Sequence, residues 1–119
     1  MIYILKNYTP LYYNYLQMIQ YQIYLGMRTL DIYITTKMIK EFIDDYVLNN
    51  LKDFTVTEGY GYWNNICEKV SIITVITDDV DKTLYDKIKN ICLNYKQNYN
   101  QECVLLSETK LINYEMICF

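Results

Sequence analysis

The amino-acid sequence predicts an α+β fold, on three observations. Four stretches read as strands, the first by a clean two-residue alternation and the third by apolar side chains on both faces, two carry the three- and four-residue steps of an amphipathic helix, and they occur in the order β-α-β-β-α-β. A chain of 119 residues is the size of one domain and buries roughly two-thirds of its unfolded surface, enough for a core of its own. Hydrophobic residues make up 52% of it and charged residues 21%, a balance that excludes an intrinsically disordered chain.

Residues 1–16, with Tyr8, Pro10, Tyr12, Tyr13 and Tyr15, show no clean period and are expected to form an irregular or short helical lead-in to a single domain over 17–119. From Met18 to Gly26, Ile19, Tyr21, Ile23 and Leu25 form an apolar side, while Met18, Gln20, Gln22 and Tyr24 form a more polar one, which is a half-buried strand. Thr35 or Thr36 then caps a helix with Ile39, Phe42, Ile43, Tyr46, Val47 and Leu51 on one stripe. Asp53 to Tyr62 reads as a second strand with Phe54 and Val56 toward the core, and a turn or bulge is expected at Gly59-Tyr60-Gly61.

After a turn at Asn64-Asn65, Cys67 to Thr77 is a third strand. Val70, Ile72, Ile73, Val75 and Ile76 put apolar side chains on both its faces. Asp78-Asp79 supplies capping carboxylates for a second helix striped by Val80, Leu84, Ile88, Ile91, Tyr95 and Tyr99. Gln101 to Lys110 returns as a fourth strand, and the apolar tail Leu111 to Phe119 is expected to add an edge strand or dock on a neighbour. Right-handed crossovers fold this order into a ferredoxin-like sandwich: a four-stranded antiparallel sheet with two helices on one face.

Charge and composition remove several functions. The net charge is −3, the isoelectric point is near 4.8, and the lysines are scattered, a poor footprint for nucleic acid. No apolar run reaches the ~18 residues needed to span a bilayer, and the N-terminus lacks the basic start and apolar stretch of a secretory signal. Cys67, Cys92, Cys103 and Cys118 form no C-x-x-C pair and there is no His, so neither a metal nor a cofactor is expected and all four are read as free thiols in a reducing compartment. The 15 Tyr, with many Ile, Asn and Lys, carry the codon bias of an AT-rich genome. That composition suggests the cytoplasm of a low-GC bacterium or of a phage-infected host, with a eukaryotic AT-rich source as the alternative.

Without His there is no serine or cysteine triad, and neither phosphate-loop pattern occurs. Arg28, the only arginine, follows the first strand, where its fork of donors suits a phosphate or carboxylate and a surface ion pair explains it equally. Gly59-x-Gly61 is read as structural before it is read as a ligand loop. Tyr24, Tyr60, Tyr62 and Trp63 are candidates for an aromatic shelf, against their use as core or interface filler. Glu58 and Glu68 are candidates for a carboxylate pair, if burial raises the pKa of one. The apolar residue left on the uncovered sheet face points to a homo-oligomer, unless the lead-in and tail of the same chain cover it.

The run Tyr21-Gln22-Ile23-Tyr24-Leu25-Gly26, then Phe42-Ile43-Asp44 with Val47, then Phe54-Thr55-Val56 followed by Gly59-x-Gly61-x-Trp63, resembles the domain-of-unknown-function family 3574. Tyr95, Tyr99, Gln101-Glu102 and Val104-Leu105 resemble its closing motif, so the likeness covers Tyr21 to Leu106. It implies a ferredoxin-like subunit and carries no activity or catalytic residue with it. The functional expectation is a non-enzymatic homo-oligomer binding a small anionic, nucleotide-like ligand, as a phage-borne protein would to sequester a signal, through Tyr24, Arg28, Tyr60, Trp63 and Glu68 at a subunit junction. The alternatives are a small enzyme of the dimeric α+β barrel kind, with Glu68 or Glu58 handling a proton and Tyr24 orienting the substrate, and a protein-binding inhibitor module.

Overall fold

Side-chain alternation along the first strand organises the molecule. In a computed structural model that describes residues 18–78, 82–115 and 117, β1 (Met18–Gly26) buries Ile19, Tyr21, Ile23 and Leu25 on one side. The lead-in over 1–16 and the capping Asp79 lie outside the described residues. The elements that follow are α1 (Thr36–Asp45), a 3-10 turn (Val47–Asn49), β2 (Thr55–Trp63), β3 (Ile66–Asp78), α2 (Lys82–Asn98) and β4 (Leu105–Leu111). The strands form one antiparallel sheet in the order β2-β3-β1-β4.

Register carries the alternation across the sheet. Ile23 faces Ile73, Tyr21 faces Val75 and Leu25 faces Ser71, so these β3 side chains share the buried side of β1. Against that side pack Ile39 and Phe42 of α1, Val47 and Leu51 beyond it, and Ile88, Ile91 and Tyr95 of α2, all in one cluster. The Phe42 ring meets Tyr95 edge-on at 5.2 Å and Tyr99 at 5.7 Å, so the two helices touch each other and lie on the same side of the sheet. Cys92 packs against the same cluster, and burial pushes its thiol pKa up to about 11, the behaviour of an inert packed thiol. Cys67, Cys92 and Cys103 are free.

The start of α1 follows the expected chemistry, and β1 keeps the expected limits, whereas the other strands do not. Thr35 caps α1, its hydroxyl accepting the Met38 N–H at 3.1 Å. The turn or bulge expected at Gly59-Tyr60-Gly61 does not occur: β2 pairs with β3 without interruption from Thr55↔Thr74 to Trp63↔Ile66. The chain reverses at Asn64 and Asn65, whose φ values of 50° and 65° are those of a two-residue hairpin turn, a conformation that Asn tolerates. Gly61 has a different use, since a Cβ there would stand 2.9 Å from the Trp63 indole nitrogen, and its absence lets the indole lie on the strand.

β4 begins at Leu105, later than Gln101: the cap that follows α2 extends to Gln101, and residues 102–104 form no strand. Asn100 has φ 50°, and the Gln101 N–H returns to Lys96 O at 3.0 Å, a left-handed helix end of the Schellman kind. β4 ends at Leu111, and residues 112–115 form no strand.

The uncovered face carries Gln22, Tyr24, Ile72, Thr74 and Ile76, with Leu105 opposite Tyr24. Ile23 is 0% exposed and Ile76 is 51% exposed. Ile23→Ala is therefore expected to lower the unfolding free energy by about 2–5 kcal/mol and Ile76→Ala by under about 1 kcal/mol, measured by urea titration. Equal losses at the two positions would show that the faces are misassigned.

Candidate functional site

The connection after β1 folds back through one threonine. The Thr29 hydroxyl accepts the N–H groups of Asp31 at 3.2 Å and Ile32 at 3.0 Å, and the Thr29 N–H donates to Ile32 O at 2.8 Å. This turn brings Tyr33 back opposite Arg28 as an isolated antiparallel bridge, with the guanidinium carbon 5.4 Å from the ring centroid. Ile34 N–H then donates to Met27 O at 2.9 Å and delivers the chain to the Thr35 cap.

Between this turn, the start of α1 and the first half of β3 lies a cleft of about 380 Å³, within the size range of small-ligand sites. Arg28, Tyr33, Thr35, Thr36, Glu68 and Lys69 line it, with Met27, Ile34 and Cys67 completing its wall. It offers a cation on an aromatic ring, a helix start with hydroxyls, and a carboxylate. A second, more open depression of about 470 Å³ lies at the other end of the sheet beside Tyr21, Tyr85 and Glu108, where Tyr21 also donates to Glu108 at 3.3 Å.

The two candidate carboxylates have opposite environments. Glu58 accepts the Thr36 hydroxyl at 2.9 Å and pairs with the Lys69 ammonium at 3.2 Å, while Lys69 also donates to Thr36 at 3.3 Å. The Thr36 hydrogen bond first, and then Lys69, hold the Glu58 carboxyl below its ordinary range. Burial raises the Glu68 carboxyl above that range, opposed by the charge of Arg28 and by a hydrogen bond from the Met27 backbone N–H. Glu68 lies over Gly26, where a Cβ would collide with its carboxylate oxygen and stand 2.9 Å from the Gln101 side-chain oxygen.

Of the five residues expected to form a site, the fold brings Arg28 and Glu68 together in the cleft. Tyr24 sits mid-strand on the uncovered face, its hydroxyl donating to Gln22 at 3.0 Å. Tyr60 and Tyr62 share a face with Lys69 and Cys67, whereas Trp63 is on the opposite face of the same hairpin, so the expected aromatic shelf is divided. None of these four aromatics lines the cleft. Tyr33, Thr36 and Lys69 were not singled out by the sequence reading; Thr36 was visible only as a helix-start residue. Among the described residues no group of three or more His, Cys, Asp or Glu is arranged to hold a metal, and no helix is long and apolar enough to cross a membrane.

These features define an α+β protein with a mixed-charge cleft beside the β2–β3 hairpin. The chain belongs to the family Protein of unknown function (DUF3574), which it matches over residues 20–113. No curated protein matches its sequence. Among solved structures it is similar to a phage SAM lyase in complex with S-methyl-5'-thioadenosine, at 15% identity and a TM-score of 0.61 over 78% of this chain and 81% of that one. It is also similar to phage SAM lyase in the apo state, at 16% identity and a TM-score of 0.56 over 77% and 79% of the two chains. At such identity the likeness is one of fold.

The carboxylates give a test of the site's electrostatics. Because the Glu58 pKa is lowered by folding, its contribution is present above the unfolded value and is lost as pH falls through the folded one. Glu58→Gln should therefore cost stability near neutral pH, on the order of 0.2–1 kcal/mol for so exposed a pair, and nothing in strong acid. The Glu68 pKa is raised, so its contribution is present below the unfolded value and is lost as pH rises through the folded one. Glu68→Gln should gain on the wild type as pH rises from 4 to 7, in melts read across that range. The same pH trend in both variants would contradict the assignment.

Proposed function

We propose that this chain, folded as a ferredoxin-like sandwich, binds a nucleoside-bearing small molecule in the cleft lined by Arg28, Tyr33, Thr36, Glu68 and Lys69. The observation that carries the reading is the composition of that cleft: an aromatic ring, hydroxyls at a helix start, and charges of both signs in about 380 Å³. The Tyr33 ring suits a base, the Thr35 and Thr36 hydroxyls suit a ribose, and Arg28 and Glu68 suit the two ends of a zwitterion. Lys69 is paired with Glu58 and Arg28 is close enough to influence Glu68, so the positive charge is balanced within the site. That balance favours a ligand of small net charge over a polyphosphate. The fold shared with a protein whose complex holds S-methyl-5'-thioadenosine, a nucleoside thioether, supports the same ligand class.

A second copy of the chain belongs to this proposal. Tyr60, Tyr62, Trp63 and Ile66 are each at least half exposed on the two faces of the β2–β3 hairpin, and an apolar arm of this kind is suited to burial against another subunit. In that assembly the hairpin aromatics expected to bind ligand would act at a subunit junction. The cytoplasmic setting, in a bacterium or a phage-infected cell, is part of the reading and rests on composition.

Binding without turnover is the simpler form of the proposal. A specific observation favours catalysis as the second: environment raises the pKa of Glu68, which lines the cleft, and lowers that of Glu58, which is held by Thr36 and Lys69 of the cleft wall, a separation of the kind used to divide acid and base roles. In this form Glu68 is the group that touches the substrate.

Differential scanning fluorimetry with S-methyl-5'-thioadenosine, S-adenosylmethionine, ATP and cyclic nucleotides decides the ligand class. The nucleoside thioether or sulfonium should raise Tm by several degrees at a hundredfold excess over Kd, where binding adds about 2.7 kcal/mol. Stabilisation by ATP alone, or by none of the four, would overturn the reading. Incubation with S-adenosylmethionine and chromatography for released S-methyl-5'-thioadenosine separates the two forms. In the catalytic form Glu68→Gln should lower product formation by at least about a hundredfold while retaining ligand-induced stabilisation; no product from the wild type leaves the binding form.

A further inference from the structure

The cleft carboxylate is connected to the buried helix interface by a single peptide group. Tyr95 of α2 is 0% exposed, stacks on Tyr99 at 4.8 Å between ring centroids and meets Phe42 edge-on at 5.2 Å, so its ring is fixed. Its hydroxyl donates to the carbonyl oxygen of Gly26 at 2.5 Å. That carbonyl belongs to the same peptide as the Met27 N–H, which donates to Lys69 O at 3.1 Å; the Glu68 carboxylate lies against this peptide, over Gly26, where the Met27 N–H favours its charged form. A donor on the oxygen of a peptide polarises it and strengthens the N–H as a donor in its turn. Gly26 makes the arrangement possible, because a Cβ at this position would occupy the place of the Glu68 carboxylate oxygen.

We propose that Tyr95 is a positioning residue for Glu68, acting from outside the cleft through the Gly26–Met27 peptide, and that Gly26 is required at this position to let the carboxylate reach that peptide. The inference rests on the reading of Glu68 as a ligand-contacting group for its biological meaning, although the structural relay can be tested without a ligand. Burial raises the Tyr95 phenol pKa well above its ordinary value, so Tyr95 remains a proton donor throughout the pH range in which Glu68 titrates. The charged and titratable groups around Glu68 are Arg28 from the connection after β1, Cys67 and Lys69 beside it on β3, Glu58 paired with Lys69, and Tyr95. Only Tyr95 acts through the peptide, and its removal leaves all the other charges in place.

The test follows the Glu68 side-chain carboxyl carbon by NMR as a function of pH in the ligand-free full chain, in the wild type, Tyr95→Phe and Tyr99→Phe. Tyr95→Phe keeps the stacked ring and removes the hydroxyl. The Glu68 titration midpoint should then move to higher pH and the Met27 amide proton should move upfield. Tyr99→Phe removes a hydroxyl that reaches only Met38 O at 3.5 Å and should change neither signal. An unchanged Glu68 midpoint in Tyr95→Phe, or equal shifts in both variants, would overturn the relay. Should Tyr95→Phe fail to fold, Gly26→Ala supplies the second reading: with the fold intact, it should displace the Glu68 carboxylate from its buried place over the peptide and move its midpoint back toward the ordinary carboxylate value. A Glu68 titration unaltered by Gly26→Ala would also overturn the proposal. Because both titrations are made without ligand, a failure of nucleoside binding alone would count against the proposed function and not against the relay.

Discussion

The structure depends on the two-residue alternation of β1. A strand paired on both sides, with β3 and β4, cannot slip by one residue without exchanging Ile19, Tyr21, Ile23 and Leu25 for Gln20, Gln22 and Tyr24 on the face against the helices. Each buried aliphatic side chain contributes about 1.5–3 kcal/mol, so the cost of that exchange fixes the register of the sheet. The register in turn fixes the end of β1 at Gly26 and Met27, and hence the place where the chain turns back to form the cleft.

Stability and site are therefore built from neighbouring parts of one strand. The buried Ile23 and Leu25 anchor β1 against Ile73 and Ser71, and immediately beyond them the backbone is offered to Tyr95 on one side and Glu68 on the other. Arg28 and Tyr33 then close the wall by stacking on each other. The polar groups of the cleft include Lys69, balanced by Glu58 outside the lining, and Glu68, a carboxylate that burial disfavours in its charged form. Such a carboxylate gains from a ligand that brings it a proton or a positive charge.

Much of the fold was legible because its signals are periodic. The alternation from Ile19 to Leu25 and the stripe through Ile88, Ile91 and Tyr95 are buried as their spacing required. The glycines of β2 misled because Gly is usually punctuation, whereas Gly61 serves the Trp63 indole and the reversal falls to Asn64 and Asn65. Once β2 is continuous, parity alone separates Tyr60 and Tyr62 from Trp63, so the aromatic shelf could have been divided from sequence with the strand limits in hand. Arg28 and Glu68 were visible as lone chemistry-bearing residues near strand ends. Tyr33, Thr36 and Lys69 were not, because their meeting depends on the Thr29 turn and on the pairing of β1 with β3, and neither has a period to read.

The cleft beside Gly26 is the proposed meeting place of this protein with a nucleoside. The most direct measurement is amide and side-chain chemical-shift mapping of the labelled full chain on addition of S-methyl-5'-thioadenosine. Saturable shifts concentrated at Arg28, Tyr33, Thr36, Glu68 and Lys69 are expected. Shifts centred instead on the depression beside Tyr21, Tyr85 and Glu108, or no saturable shift at all, would contradict it.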